Sequence, residues 1–311
     1  MAKTLAVEHG VPMKKKKICV VITHSVSLVL YRGQLKPLSR RGFHITVVCD
    51  PRGGMQAEAE RAGCRVVSMH MNRPMTPLAD LVSFIRLILF FCRNRFDIVQ
   101  VSTPKASLLG SLAARITGQP FILYAYWGIY YDTQTGWRKR LFRFLDHIVC
   151  TLADQVQGIC EDLRSYVIRQ FSTPARKTAC LLGGPDGIDL TRWTSTDALK
   201  EQGSGIRRSM GIPEDDLVIG FCGRMVRNKG ICELVEAFES LSSRHPVHLL
   251  LVGDYEAEDP VPDAVRQKIA DNPLIHATGW VEDTVPYFAA MDIFTLPSYR
   301  EGFGNTIIEA S

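Results

Sequence analysis

Short, apolar, β-branched runs recur along this chain, and nearly every one is followed by a stretch that reads as a helix. Strands are predicted at Ile18–Thr23, His44–Cys49, Cys64–Met69, Asp97–Val101 and Phe121–Ala125. Helices are predicted between them at Leu30–Arg40, Gln56–Ala62, Pro77–Asn94 and Ser107–Thr117. A run that is apolar on both faces belongs to a parallel strand covered by helices on each side. The alternation therefore implies right-handed βαβ units wound into parallel sheets. The rhythm breaks over Thr173–Gly187, where Pro174, Gly183, Gly184, Pro185 and Gly187 cluster. It restarts with strands predicted at Leu217–Cys222, His248–Val252, Ile275–Thr278 and Asp292–Leu296. Helices are predicted at Ile231–Ser243, Ala264–Ala270 and Pro286–Met291, with another opening at Asn305. The fold class is α/β with two Rossmann-like, doubly wound domains, 18–190 and 191–311. A basic leader, 1–17, precedes them and is expected to be disordered. A chain of 311 residues is long enough for two cores.

Composition removes several other classes. Apolar residues make up 46% and charged residues 22%, a globular balance. The nine cysteines include no Cys-x-x-Cys pair and are scattered through apolar runs, which argues against a disulfide scaffold or zinc ribbon and for a reducing compartment. The leader has charges but no apolar core, so it does not read as a secretory signal. The most apolar helical run, Leu81–Cys92, is too short to span a bilayer and is interrupted by Arg86. Charge is divided unevenly. Residues 1–190 carry 26 basic and 13 acidic side chains, net +13, whereas residues 191–311 carry 11 and 19, net −8.

Two segments carry chemistry. Gly223-Arg-Met-Val-Arg-Asn-Lys-Gly230 follows one predicted strand and precedes a helix. In a doubly wound sheet, ligands bind off the carboxyl ends of strands. Gly223 and Gly230 permit close backbone approach, and Arg224 with Lys229 can place two positive charges on one anion, most naturally a diphosphate. The plainer reading is a solvated basic loop. The second segment, Ser298-Tyr-Arg-Glu-Gly-Phe-Gly-Asn-Thr-Ile-Ile-Glu309, also joins a strand to a helix. Backbone N–H groups at Gly304, Asn305 and Thr306 would face an anion at the helix start. Glu301 in the loop can accept from ligand hydroxyls, and Glu309 lies one turn into the helix, four residues after Asn305. Two carboxylates flanking an anion-binding turn suit a molecule with phosphates in its middle and hydroxyls at both ends, as in a nucleotide sugar. The plainer reading makes Glu301 a helix-dipole residue and Glu309 a surface residue.

The chain resembles the family 4 retaining glycosyltransferases of the GT-B fold. Glu301-Gly-Phe-Gly-Asn-Thr-Ile-Ile-Glu309 matches that family's E-x7-E motif, and Gly223–Gly230 matches its G-R-x4-K-G phosphate loop. Thr103-Pro-Lys-Ala-Ser-Leu-Leu-Gly110 and Asp186-Gly-Ile-Asp189 are similar to further segments of bacterial members. Those members extend capsule, O-antigen or exopolysaccharide units on a polyprenyl-diphosphate carrier at the cytoplasmic face of the membrane. The resemblance implies two domains facing a cleft and a nucleotide-sugar donor, a UDP-sugar by family habit. It also implies transfer of a hexosyl or N-acetylhexosaminyl group without a metal ion or other cofactor. By the same resemblance Arg224 and Lys229 bind the donor diphosphate, Glu301 the transferred hexose and Glu309 the ribose. The backbone of Gly302, Phe303, Gly304, Asn305 and Thr306 holds phosphate and sugar. Lys105, Tyr126 and Trp127 fall on the acceptor or sugar side. Bacterial members often carry Thr-Ala-His-Gly where this chain has Ala125-Tyr-Trp-Gly128, so Trp127 stands at the His position. Trp can stack on a sugar face but cannot shuttle protons; its plainer reading is a core aromatic at a strand end.

Trp137-Arg-Lys-Arg-Leu-Phe-Arg-Phe144 is the strongest membrane signal. On a helix Trp137, Leu141, Phe144 and Leu145 fall on one side, flanked by Arg138, Lys139, Arg140 and Arg143. Such a stretch lies in an anionic interface, each basic side chain contributing about 1 kcal/mol. Pro77–Arg95 could join it; the plainer reading is two amphipathic helices packed on a sheet. The chain is thus expected to be a peripheral protein of the inner face of the cytoplasmic membrane, with a lipid-linked acceptor. No nucleic-acid module is present, and no nucleic-acid partner is expected. No G-x-G-x-x-G follows any predicted strand, which argues against a dinucleotide-dependent dehydrogenase. An epimerase of the same fold and an inactive remnant or binding scaffold remain open at this stage. The last residues, Asn305–Ser311, stop one turn into an amphipathic element without a cap. A shortened chain, an incomplete second domain, poor stability and weak turnover are expected from that.

Overall fold

The computed structural model describes residues 16–311, except 73, 133, 181–189, 258 and 300 and the side chains of 32, 190 and 191. Most of the leader and the Asp186–Asp189 segment lie outside the described residues. The chain forms two compact units, 1–187 and 188–311.

The first unit holds β1 (Lys17–His24), α1 (Arg32–Arg40), β2 (His44–Asp50), α2 (Gln56–Arg61), β3 (Arg65–Ser68) and α3 (Pro77–Arg93). It continues with β4 (Ile98–Val101), α4 (Pro104–Ile116), β5 (Ile122–Tyr126), α5 (Gly136–Leu152), β6 (Gln155–Gly158), α6 (Glu161–Phe171) and β7 (Thr178–Cys180). Its strands form one parallel sheet in the order β3-β2-β1-β4-β5-β6-β7. Alternation along β1 and β2 sends Ile18, Val20, Ile22, Ile45 and Val47 to one face, against Leu28, Tyr31, Leu35 and Ala59. α4 lies over the other face, beside Val21 and Val101. Covering both faces is what the uninterrupted apolar runs require.

The second unit holds α7 (Leu190–Trp193), α8 (Asp197–Ser209), β8 (Leu217–Cys222), α9 (Ile231–Ser242), β9 (Val247–Val252) and α10 (Asp263–Asp271). It ends with β10 (Ile275–Ala277), α11 (Val285–Ala289), β11 (Ile293–Phe294) and α12 (Asn305–Glu309). Its sheet is parallel, in the order β10-β9-β8-β11. Phe221, Leu249 and Leu251 pack one face against Ile231, Val235 and Phe238 of α9. Val218, Leu250 and Val252 pack the other against Ile206, Met210, Tyr287 and Phe288. Each unit is a doubly wound Rossmann-like domain.

Several elements differ from the sequence reading. α8 went unpredicted because Gly203 and Gly205 lower helix propensity. Gly203 sits there for packing: a Cβ on it would come within 2.5 Å of the Ala289 carbonyl oxygen at the end of α11. α4 opens three residues before the predicted start, because Pro104 fills a first-turn position where no N–H is needed. β6 and α6 precede the expected break in the rhythm, and β7 falls inside it, within Thr173–Gly187, pairing with β6 at the edge of the sheet. The predicted strand at 292–296 shrinks to two residues, although Asp292 and Thr295 still donate their N–H groups to Val218 and Gly220 of β8 at 2.9 and 2.8 Å.

Candidate active site

In the smaller sheet the strand order reverses between β8 and β11, whose Ile219 and Gly220 pair with Ile293 and Phe294. Such a switch point opens a crevice at the carboxyl ends of the strands. Both motifs leave from there, Gly223–Gly230 after β8 and Ser298–Glu309 after β11. Their loops are fastened together. Gly230 adopts φ 73°, and a Cβ on it would lie 2.1 Å from the Pro297 carbonyl oxygen, so only glycine lets the loops meet. The Tyr299 N–H donates to the Asn228 carbonyl at 3.0 Å, and the Tyr299 hydroxyl donates to Glu233 of α9 at 2.6 Å. That hydroxyl, before any other cause, holds the Glu233 carboxyl below its ordinary range. The Asn228 N–H donates in turn to Asp259 at 2.7 Å.

The charged groups meet within this frame. Lys229 Nζ lies 2.5 Å from Glu301, joining the two motifs, with the side chains only 16% and 28% exposed. Arg224, which was expected to share an anion with Lys229, instead pairs with Glu256 at 2.9 Å. Glu256 was missed by the sequence reading. The signal that could have found it is its place after β9, at the same sheet edge. Gly223, Gly302, Phe303, Asn305 and Thr306 are half-buried, and Gly304 is buried at the start of the short α12. Glu309 closes that helix. Burial first, and the Glu309 carboxylate second, push the Cys222 thiol up to about 12, which sets the Glu309 charge beside the end of β8. Two buried polar atoms, Asn228 Oδ1 and Ser298 Oγ, have no hydrogen-bond partner among the described residues.

The corresponding edge of the larger sheet holds the candidate residues of the first unit. Its order reverses between β1 and β4, and their ends are tied by Thr103, which takes φ 65° and whose hydroxyl accepts the Thr23 N–H at 3.0 Å. Lys105 is withdrawn from solvent, its Nζ 2.6 Å from both Asp80 and the Pro74 carbonyl. Tyr126 is buried, and burial raises its hydroxyl pKa well above the ordinary value. Trp127 is half-buried on the β1–β2 core, edge-on to Tyr31 with ring centroids 5.6 Å apart. That contact fits the plainer reading of a strand-end core aromatic. The Trp127 Nε1 has no hydrogen-bond partner among the described residues.

On α5, Trp137 and Phe144 are exposed, Arg138 lies 5.8 Å from the Trp137 ring, and Arg140 and Arg143 face solvent. Lys139 is closer in, 3.7 Å from Asp132. α3 also exposes an apolar stripe, Leu78, Leu81, Val82, Ile85 and Leu89. Among the described residues no helix is long and apolar enough to cross a membrane, and no group of three or more His, Cys, Asp or Glu side chains is placed to hold a metal ion.

Two Rossmann-like domains, the second with a basic loop and an acidic loop at its switch point, fit a glycosyltransferase of the GT-B fold, and the comparisons with known proteins show the family. Residues 31–181 match the family described as glycosyl transferase 4-like domain, and residues 216–311 match glycosyl transferases group 1. CapM, a capsular polysaccharide biosynthesis glycosyltransferase of Staphylococcus aureus, is 30% identical over 301 residues, covering 96% of this chain and 77% of CapM. The UDP-Gal:alpha-D-GlcNAc-diphosphoundecaprenol alpha-1,3-galactosyltransferase of Escherichia coli is 21% identical over 309 residues, covering 96% and 78%. HepE from Anabaena, solved with UDP and glucose, has the same fold, with a TM-score of 0.74 at 20% identity over 95% of this chain and 78% of HepE. The chain belongs to the family 4 glycosyltransferases of bacterial polysaccharide synthesis.

Proposed function

We propose that this protein moves a hexosyl or N-acetylhexosaminyl group, with retention, from a UDP-sugar to a saccharide carried on a polyprenyl diphosphate. The supporting observation is the junction of the two motif loops at the β8–β11 switch point, with Lys229 against Glu301. A donor diphosphate competes with Glu256 for Arg224 and with Glu301 for Lys229. Displaced from Lys229, the Glu301 carboxylate is left to accept from hydroxyls of the transferred sugar. Glu309, beside the end of β8, takes the ribose hydroxyls, and the orphaned Asn228 Oδ1 and Ser298 Oγ gain partners. Cleavage of the anomeric C–O bond leaves negative charge on the diphosphate, and fixed cations stabilise it as it grows. The acceptor oxygen attacks the same face, its new bond to the anomeric carbon forms, and its proton passes to the departing phosphate oxygen. In this reading the basic pair takes the place of a divalent ion.

The acceptor comes from an anionic membrane surface. Exposed Trp137 and Phe144 with Arg138, Arg140 and Arg143 on α5 give that surface an apolar and a basic contact. The relatives' lipid-linked acceptors support the same assignment. The test is transfer from UDP-sugars to an undecaprenyl-diphosphate saccharide, alongside calorimetric titration with UDP. Transfer, with UDP binding weakened by Arg224→Ala, is expected. Hydrolysis or epimerisation without transfer would overturn the reading.

A further inference from the structure

The amino ends of β1, β2 and β3 and the carboxyl end of α3 line a half-open surface pocket of about 350 Å³ in the first unit, and its charged side chains are exposed. Lys17 opens β1, His44 opens β2, Arg65 opens β3, Arg93 closes α3 and Arg95 lies on the link to β4. All five line the pocket above buried Phe96, and no Asp or Glu lines it. This is the opposite edge of the sheet from the strand ends where a doubly wound fold binds its substrate. Nothing in the sugar-transfer reading uses it.

Some other cations of this unit are held by carboxylates, among them Arg52 by Asp50, Arg115 by Asp154 and Arg164 by Glu161. The pocket cations have no such partner among the described residues. Arg95 reaches the Thr117 carbonyl at 3.4 Å, and the neighbouring Asp97 carboxylate accepts the Lys17 backbone N–H at 2.7 Å. The partial negative charge at the end of α3, about half an elementary charge, offsets only a fraction of the four formal positive charges. Like charges around a shared hollow repel, and an anion between them removes that cost. The volume corresponds to on the order of ten waters, room for a diphosphate group. Arginine forks suit its oxygens bidentately, with Lys17 as a point charge.

We propose that this pocket is a binding site for a phosphate-bearing ligand, distinct from the candidate donor site of the second unit. Two sources carry that chemistry: a soluble phosphate ester, or the headgroup of an anionic lipid. The second is reachable because the exposed apolar stripe of α3 runs through Leu81, Ile85 and Leu89 toward Arg93.

The test follows the His44 imidazole resonances of the full chain by NMR, assigned with His44→Asn, during titration with inorganic pyrophosphate at constant ionic strength. A saturable shift is expected, with half-saturation at or below about 1 mM. It should vanish in Arg65→Gln/Arg93→Gln, return in part in Arg65→Lys/Arg93→Lys, and persist in Arg224→Gln, whose change lies at the candidate donor site. Sedimentation with phosphatidylglycerol vesicles identifies the source. A loss of roughly tenfold in the Arg65→Gln/Arg93→Gln variant assigns the site to a lipid headgroup, and unchanged vesicle binding assigns it to a soluble ester. A linear drift of the His44 signals, equal in the chain and in the double glutamine variant, would overturn the proposal.

Discussion

Lys105 and Lys229 make nearly the same contact in different units. Lys105 lies 2.6 Å from Asp80 and Lys229 lies 2.5 Å from Glu301, and both side chains are mostly buried, at 10% and 16% exposure. What surrounds them differs. Lys105 also donates to the Pro74 carbonyl, while Asp80 accepts from the Thr76 N–H at 3.0 Å and its hydroxyl at 3.1 Å. That cluster is saturated and ties α4 to the start of α3. The Lys229–Glu301 pair instead bridges two loops at a switch point, beside Asn228 and Ser298, whose buried Oδ1 and Oγ have no hydrogen-bond partner among the described residues. An ion pair of given length can therefore be a fastening or an exchangeable contact, and the hydrogen bonds around it decide which.

The comparison breaks most sharply at Lys229. Lys229→Ala is expected to lower kcat by a factor of about 10² to 10³, about 3–4 kcal/mol of lost transition-state stabilisation, with little change in Tm. Normal turnover, or a collapse of Tm equal to that of a Lys105 variant, would erase the distinction. Buried Asp146 of α5 sharpens the contrast in the first unit. Burial pushes its carboxyl up from 3.8 to about 6, against a hydrogen bond from Tyr124 at 3.2 Å. A raised carboxyl means the folded chain holds the proton more tightly than the unfolded chain. Stability is then greatest below the ordinary carboxylate range and falls as pH rises from about 4 to about 6. The loss is about 3 kcal/mol at pH 7 for a shift of about two pH units. Asp146→Asn should flatten that fall in urea titrations across pH 4–8.

Lys105→Met should cost about 1–3 kcal/mol of stability by leaving the Asp80 carboxylate without its cation, while UDP affinity stays unchanged. Weakened UDP binding at full stability would move Lys105 to the ligand side. The smallest effect is expected from the imidazole pair of the second unit. His248 Nδ1 lies 3.0 Å from His276 Nε2, and burial, then His248, lowers the His276 pKa. That contribution is present above the ordinary histidine range and is lost as pH falls through it, the opposite direction from Asp146. His276→Gln should remove the acid-side loss, read from the same urea titrations.

The strand–helix rhythm and both loop motifs were legible in the chain itself. Apolar periodicity reports burial directly, and Gly230 marks the turn where the two motif loops meet. α8 was not legible, because Gly203 is there for contact with α11 and reads locally as a helix breaker. Glu256, Tyr299 with Glu233, and the shell of Asp146 were not legible either. Each pairing joins groups that lie far apart along the chain.

Sequence alone determined that this protein would be two parallel α/β domains with one basic and one acidic loop, because secondary structure and burial follow local pattern. Only the tertiary structure decided that β11 lies beside β8, that Lys229 meets Glu301 while Arg224 meets Glu256, and that Lys17, His44, Arg65, Arg93 and Arg95 share one hollow. Strand order sets those meetings, and strand order is a long-range outcome of packing that no local pattern encodes.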